Sequence, residues 1–244
     1  MKRPVLFNLI IALWFFCSGL CWGQDKEATV PRESAIKAPS NLYWVFLKTG
    51  KSLDGIDRKD VEAMQVEHLN NFRRLAEEGR LVTAGPVSDP DNIRRGVVIL
   101  KADRPEELAA MFRDDPYIKQ GYMKMDSCRM KFELGKIHTR ITPKGMEELR
   151  IVVLQRNPDS KTVMDSETET LTTAFLKNQY DLKQLNLSVR LFDAKDDSRH
   201  VLVFPKRETD DAILEVVNEI PAVKSGFWKQ NTMPLFMGKG SIER

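Results

Sequence analysis

Apolar residues fall along this chain in two rhythms. Short, nearly unbroken runs such as "LYWVFLK" at 42–48, "RLVTAGP" at 80–86 and "GVVILKA" at 96–102 have the length and β-branched content of well-buried strands. Between the first two runs, apolar positions recur at three- and four-residue intervals from about Asp60 to Glu78, which predicts a helix stopped by Gly79. "RPEELAAMF" at 104–112 predicts a short helix opened by Pro105, and "GYMKMDSCRMKF" at 121–132 a final strand. The same order then returns. "LRIVVLQ" at 149–155 opens it, and Ser166 and Glu169 stand at capping-box spacing before a second long helix.

This recurrence is a tandem duplication. "RGVVILKADRPEELAAMF" at 95–112 aligns without a gap on "RHVLVFPKRETDDAILEV" at 199–216, and "DDPYIKQGY" at 114–122 aligns on "EIPAVKSGF" at 219–227. Two units are expected, at 41–132 and 149–235, joined by a glycine- and proline-bearing linker at 133–148 and followed by a tail at 236–244. Each reads as strand, helix, strand, strand, helix, strand. Such a unit places its helices on one face of an antiparallel four-stranded sheet and leaves the other face to be covered. At about 90 residues it is also marginal in size for independent stability. The expected fold class is therefore α+β: two ferredoxin-like βαββαβ units packed sheet to sheet as an internal pseudo-dimer, with the protein a monomer because the partner is built in.

The termini and the charge balance narrow the setting. "MKRPVLFNLIIALWFFCSGLCWG" at 1–23 has the charged start, apolar run and small-residue end of a signal peptide, and 24–40 reads as a flexible tether. Export to the periplasm or the extracellular space is expected, with no stable membrane span after processing. Retention of the segment as an anchor is the open alternative. Lys2 and Arg3 are the only charged residues in it, so its removal lowers the formal charge from +3 to +1 and leaves no electrostatic case for nucleic-acid binding. Of the three cysteines only Cys128 would remain, which excludes an internal disulfide and suits a small packed side chain.

At "EHLNNFRRLAEEGRLVTAGP" and "DDPYIKQGYMKMDSCRMKF" the first unit resembles the YCII-related family of the dimeric α/β-barrel superfamily, with its helix histidine, Ala-Gly-Pro after the second strand and Asp-Pro-Tyr before the last. The second unit resembles only the scaffold. The resemblance implies a pocket over the sheet and a His-Asp active site, carried onto His68 and Asp115. It also implies small organic substrates, since related members include a chloroaromatic dehydrochlorinase and lactone-processing enzymes. It implies no cofactor.

The residues themselves agree in part. On a helical wheel His68 lies among Val61, Met64, Leu69, Phe72 and Leu75, so its ring points inward and needs a polar partner. A carboxylate would favour the imidazolium and burial would oppose it, the balance that acid-base catalysis exploits. The same features also suit a satisfied core histidine and an ordinary Asp-Pro turn. Ala84, Gly85 and Pro86 are expected at a pocket rim, with Tyr117 and Tyr122 lining it. In the second unit Leu171 is aligned with His68 and Ile220 with Asp115, so that half is expected to be a scaffold whose pocket has been filled. His138 and His200 are expected to be exposed or structural, and no metal site is suggested. The leading expectation is a cofactor-independent acid-base enzyme acting on a small molecule. The alternative is a non-catalytic ligand-binding or interaction module of the cell envelope.

Overall fold

The computed structural model describes residues 41–138, 145–192, 199–207 and 209–243. The expected signal peptide and tether lie outside these residues, as does the middle of the linker. In the first half, β1 (Asn41–Thr49) is followed by α1 (Arg58–Glu77), β2 (Leu81–Pro86), β3 (Arg94–Ala102), α2 (Glu106–Met111), α3 (Pro116–Lys119) and β4 (Met123–Leu134). A two-residue strand, β5 (Lys136–Ile137), precedes the second half. There β6 (Met146–Arg156) is followed by α4 (Ser166–Asp181), β7 (Leu187–Phe192), β8 (Arg199–Pro205), α5 (Asp211–Asn218), α6 (Pro221–Lys224) and β9 (Trp228–Gly238). Finally β10 (Ile242–Glu243) pairs with β5, which ties the expected tail to the expected linker.

Local chemistry explains the helices. The side chain of Asp57 accepts from the amide of Lys59 to cap α1, Arg58 pairs with Glu62 one turn on, and Gly79 ends the helix at φ +66. The expected capping box of α4 is displaced by one residue. Its N-cap is Asp165, whose carboxylate accepts from the Thr168 amide at 2.7 Å, and Ser166 is already helical. A carboxylate beside the positive end of the helix dipole makes the stronger cap, and its own ionisation is favoured by that hydrogen bond.

The fold is α+β, of dimeric α/β-barrel type. All the long strands join one antiparallel sheet in the order β2-β3-β1-β4-β7-β8-β6-β9. The halves do more than stack faces: β4 pairs directly with β7 from Arg129↔Phe192 to Leu134↔Ser188. At the other seam Val87 bridges to Leu235, and the Ser88 amide donates to the Pro234 carbonyl. The sheet thus comes round on itself, which removes the exposed edges that two separate sheets would keep.

Side-chain alternation along the strands then gives three apolar layers. Trp44, Phe46, Val97, Ile99 and Cys128 meet Ile151, Val153, Val201 and Leu235 inside the ring. Tyr43, Val45, Leu100, Leu108 and Phe112 pack outside it beneath α1 and α2, and Val152, Leu202, Phe204, Ile213 and Val217 do the same in the second half. A cross-half ion pair joins Arg199 to both carboxylate oxygens of Asp126, at 2.8 and 2.9 Å, with Lys48 on the same group. Burial alone would raise the Asp126 carboxyl, but these two cations hold it below the usual carboxylate range. Among the described residues no helix is long and apolar enough to cross a membrane.

Candidate active site

α1 lies against the outer face of the sheet in the first half and buries Met64, Gln65, His68 and Leu75. That face carries His68 towards the turn before α3. There Asp115 is 1% exposed, and its Oδ2 lies 2.6 Å from His68 Nδ1. The other carboxylate oxygen caps α3, accepting from the amides of Tyr117 at 3.1 Å and Ile118 at 3.4 Å. Three hydrogen bonds therefore hold Asp115, and its acceptor role assigns the proton to His68 Nδ1. The neutral ring then keeps its lone pair on Nε2, the tautomer that a general base requires.

The ring is fixed on two further sides. Phe72 packs against it with centroids 4.5 Å apart, and Tyr117 meets it edge-on at 5.4 Å. The Tyr117 hydroxyl donates to the Val61 carbonyl, which pins α3 to the start of α1. Burial pushes the Tyr117 phenol above its ordinary value, Asp115 pushes in the same direction, and the charge of Arg95 opposes them. Arg95 is a residue that sequence reasoning missed. It is skipped in the pairing of β1 with β3, where Leu47 faces Gly96 and Lys48 faces Arg94, and such bulges re-aim side chains. Half-buried, it donates to the Asn92 amide oxygen and makes no ion pair among the described residues; burial lowers its pKa.

The other expected residues do not gather here as one rim. Ala84 is buried in the layer beneath α1, and Pro86 is half-buried at the end of β2. Gly85 faces backbone and not open space: a Cβ there would stand 1.8 Å from the carbonyl oxygen of Phe236. Glycine at this position lets β2 and β9 close the ring. Tyr122 packs beneath the Lys51 ammonium, 4.8 Å from its ring centre, at the β1–β4 end of the sheet.

The second half departs from the expectation in two ways. Leu171 is 52% exposed and is not the spatial counterpart of His68; Thr172, 4% exposed, takes that place. Gly79 and Lys183, both at positive φ, mark the same point beyond each helix. Counting back from them aligns Thr172, Leu176 and Gln179 with His68, Phe72 and Leu75. Nor is this half filled. A cavity of about 550 Å³ lies between α4 and the sheet, and the buried His200 lines it. His138 is exposed. Among the described residues no group of three or more His, Cys, Asp or Glu side chains is placed to hold a metal ion.

The model of the YCII-related domain matches residues 42–126, the stretch that carries His68, Asp115 and the Ala-Gly-Pro. The match lies within the first half and does not extend to the second. Over the whole ring the chain is similar to a protein solved as a candidate chlorite dismutase, with a TM-score of 0.53 at 11% identity, covering 84% of this chain and 96% of that one. It is similar also to a mutant chlorite dismutase from Candidatus Nitrospira defluvii, with a TM-score of 0.53 at 9% identity and coverage of 80% and 91%. At these identities the likeness concerns the fold alone. No curated protein matches the sequence.

Proposed function

We propose that the protein is an exported YCII-like enzyme that moves a proton on a small organic molecule in an elimination, isomerisation or lactone-type reaction. His68 is its acid-base group and Asp115 orients it. One observation carries this reading. The second half shows what the fold needs at this position: Thr172 Oγ1 accepts the Ala222 amide at 3.1 Å, where Ile220 leads into α6. A hydroxyl and an alkyl group are enough there, so a buried imidazole-carboxylate pair exceeds the structural requirement.

In the mechanism, Asp115 holds the Nδ1 proton and stabilises the imidazolium that forms when Nε2 takes a substrate proton. The same imidazolium then returns the proton to a leaving group or a neighbouring carbon. Arg95 would balance an acidic substrate. No cofactor takes part in this scheme, and the built-in partner unit makes the protein a monomer.

The alternative is a non-catalytic binding module of the cell envelope. It is favoured by the capping role of Asp115, which gives that carboxylate a structural use. Turnover decides between them. Small chlorinated, lactone and cyclic acids are incubated with wild type and with His68→Gln, and consumption is followed by chromatography. Consumption lost in His68→Gln supports the enzyme; saturable binding without consumption, retained in the variant, supports the module.

A further inference from the structure

We propose that the second half holds a separate site, between α4 and the sheet, for a flat, largely apolar molecule bearing one carboxylate. The cavity there has a volume of about 550 Å³, which suits a small ligand. Its polar floor is particular to this half. Strand register places Arg190 opposite His200 where the first half places Pro86 opposite Gly96, and Ser188 opposite Leu202 where the first half has Ala84 opposite Val98. Three small or apolar positions have thus become serine, arginine and histidine, while the strands that carry them are unchanged.

The charges on that floor define what it lacks. Glu133, reaching in from β4 of the first half, accepts from Arg190 Nε at 2.9 Å and Ser188 Oγ at 3.2 Å, and lies 3.3 Å from His200 Nδ1. Its carboxylate is therefore occupied by the protein's own donors. The second acid, Glu169, stands 3.8 Å from Arg190, and Lys177 is bound to Asp181. Lys131 lines the same cavity and makes no ion pair among the described residues. The named cations and acids are equal in number, but Lys131 is the cation that has no carboxylate partner among the described residues, so the group that complements it is an anion.

The walls select the rest of the molecule. His200 is 4% exposed, and its Nδ1 has no aligned hydrogen-bond partner. Its ring lies against that of Trp228, with centroids 4.4 Å apart, and Phe227 adjoins Trp228. Planar surfaces of this kind favour a planar apolar body. The carboxylate would reach Lys131 while the body lies along Trp228. This site does not depend on the reading of His68 and Asp115.

The test is calorimetric titration of the full chain with 2-naphthoate and with its uncharged isostere 2-naphthamide. The expected result is one saturable site for the acid, with the amide at least tenfold weaker. Lys131→Met should bring the acid down to the affinity of the amide; the side chain is exposed, so folding is expected to survive and is checked by circular dichroism. Trp228→Leu should weaken both compounds, and His68→Gln should change neither. The proposal is overturned by absence of saturable 2-naphthoate binding, by equal affinity for acid and amide in wild type, by an acid affinity indifferent to Lys131→Met, or by binding that disappears in His68→Gln.

Discussion

Thr172 stands in the second half where His68 stands in the first, and it performs with one hydroxyl the capping that His68's partner Asp115 performs with a carboxylate. Its Oγ1 accepts the Ala222 amide at 3.1 Å, while Asp115 Oδ1 accepts the Tyr117 amide at the same distance. Each half thus satisfies the same helix end by different chemistry.

The first prediction uses the second half as the template. Replacing both partners together, His68→Thr with Asp115→Ile, should leave stability within about 1 kcal/mol of wild type, because no buried charge is stranded. Asp115→Ala alone should cost about 2 kcal/mol or more, since it removes both the α3 cap and the partner of His68. Urea denaturation of the two variants checks this. A double variant less stable than the single one would show that the fold itself depends on the pair.

Gly85→Ala should open or strain the seam between β2 and β9. The added methyl would stand 1.8 Å from the Phe236 carbonyl oxygen, so backbone has to move, and overpacking of this kind costs about 1–3 kcal/mol. The matching observation is faster hydrogen exchange at Val87 and Ser88, where the two strands meet. Unchanged melting and exchange would remove the seam role assigned to this glycine.

Acid should weaken the β4–β7 junction through Glu133. Burial pushes this carboxyl up, but His200 and Arg190 outweigh it and hold it at about 2, below its ordinary 4.5. A depressed pKa contributes stability that is fully present above the unfolded value and is lost as pH falls through the folded one. The stability gap between wild type and Glu133→Gln should therefore be level above about pH 5 and shrink from there towards pH 2. Denaturation midpoints at pH 6 and pH 3 measure it, and a gap that widens in acid would contradict the assignment.

Lys183 ends α4 at φ +58, the conformation that Gly79 adopts at φ +66 beyond α1. Lys183→Gly should stabilise the protein by about 1 kcal/mol, because a side chain is disfavoured there. Gly79→Ala should destabilise it by a similar amount, and thermal melts of the two variants should move in opposite directions.

Sedimentation should find one chain per particle. The β4–β7 ladder and the β2–β9 bridge use inside one chain the strand edges through which two chains would otherwise join. An obligate dimer that separates only on unfolding would contradict this.

Much of the architecture was readable before any coordinates, because it rests on local and repeated signals. Alternating and continuous apolar runs identify strands, three- and four-residue spacing identifies α1 and α4, and two ungapped alignments identify the duplication. The inward direction of His68 followed from its helix face, and its proximity to Asp115 from a family resemblance carried by the Ala-Gly-Pro and Asp-Pro-Tyr. What alignment could not supply was angular. A slip of one residue turns a helical side chain by about 100°, which is why Leu171 was paired with His68 although it faces solvent and Thr172 faces in. Strand edges were equally silent: nothing local tells β4 to pair with β7, or tells Gly85 that it will meet Phe236. The cavity of the second half was hidden for the same reason, since Glu133, Arg190 and His200 come from three strands and from both halves of the sheet. Periodicity records which way a side chain faces on its own element; only the closing of the sheet decides which elements share a wall.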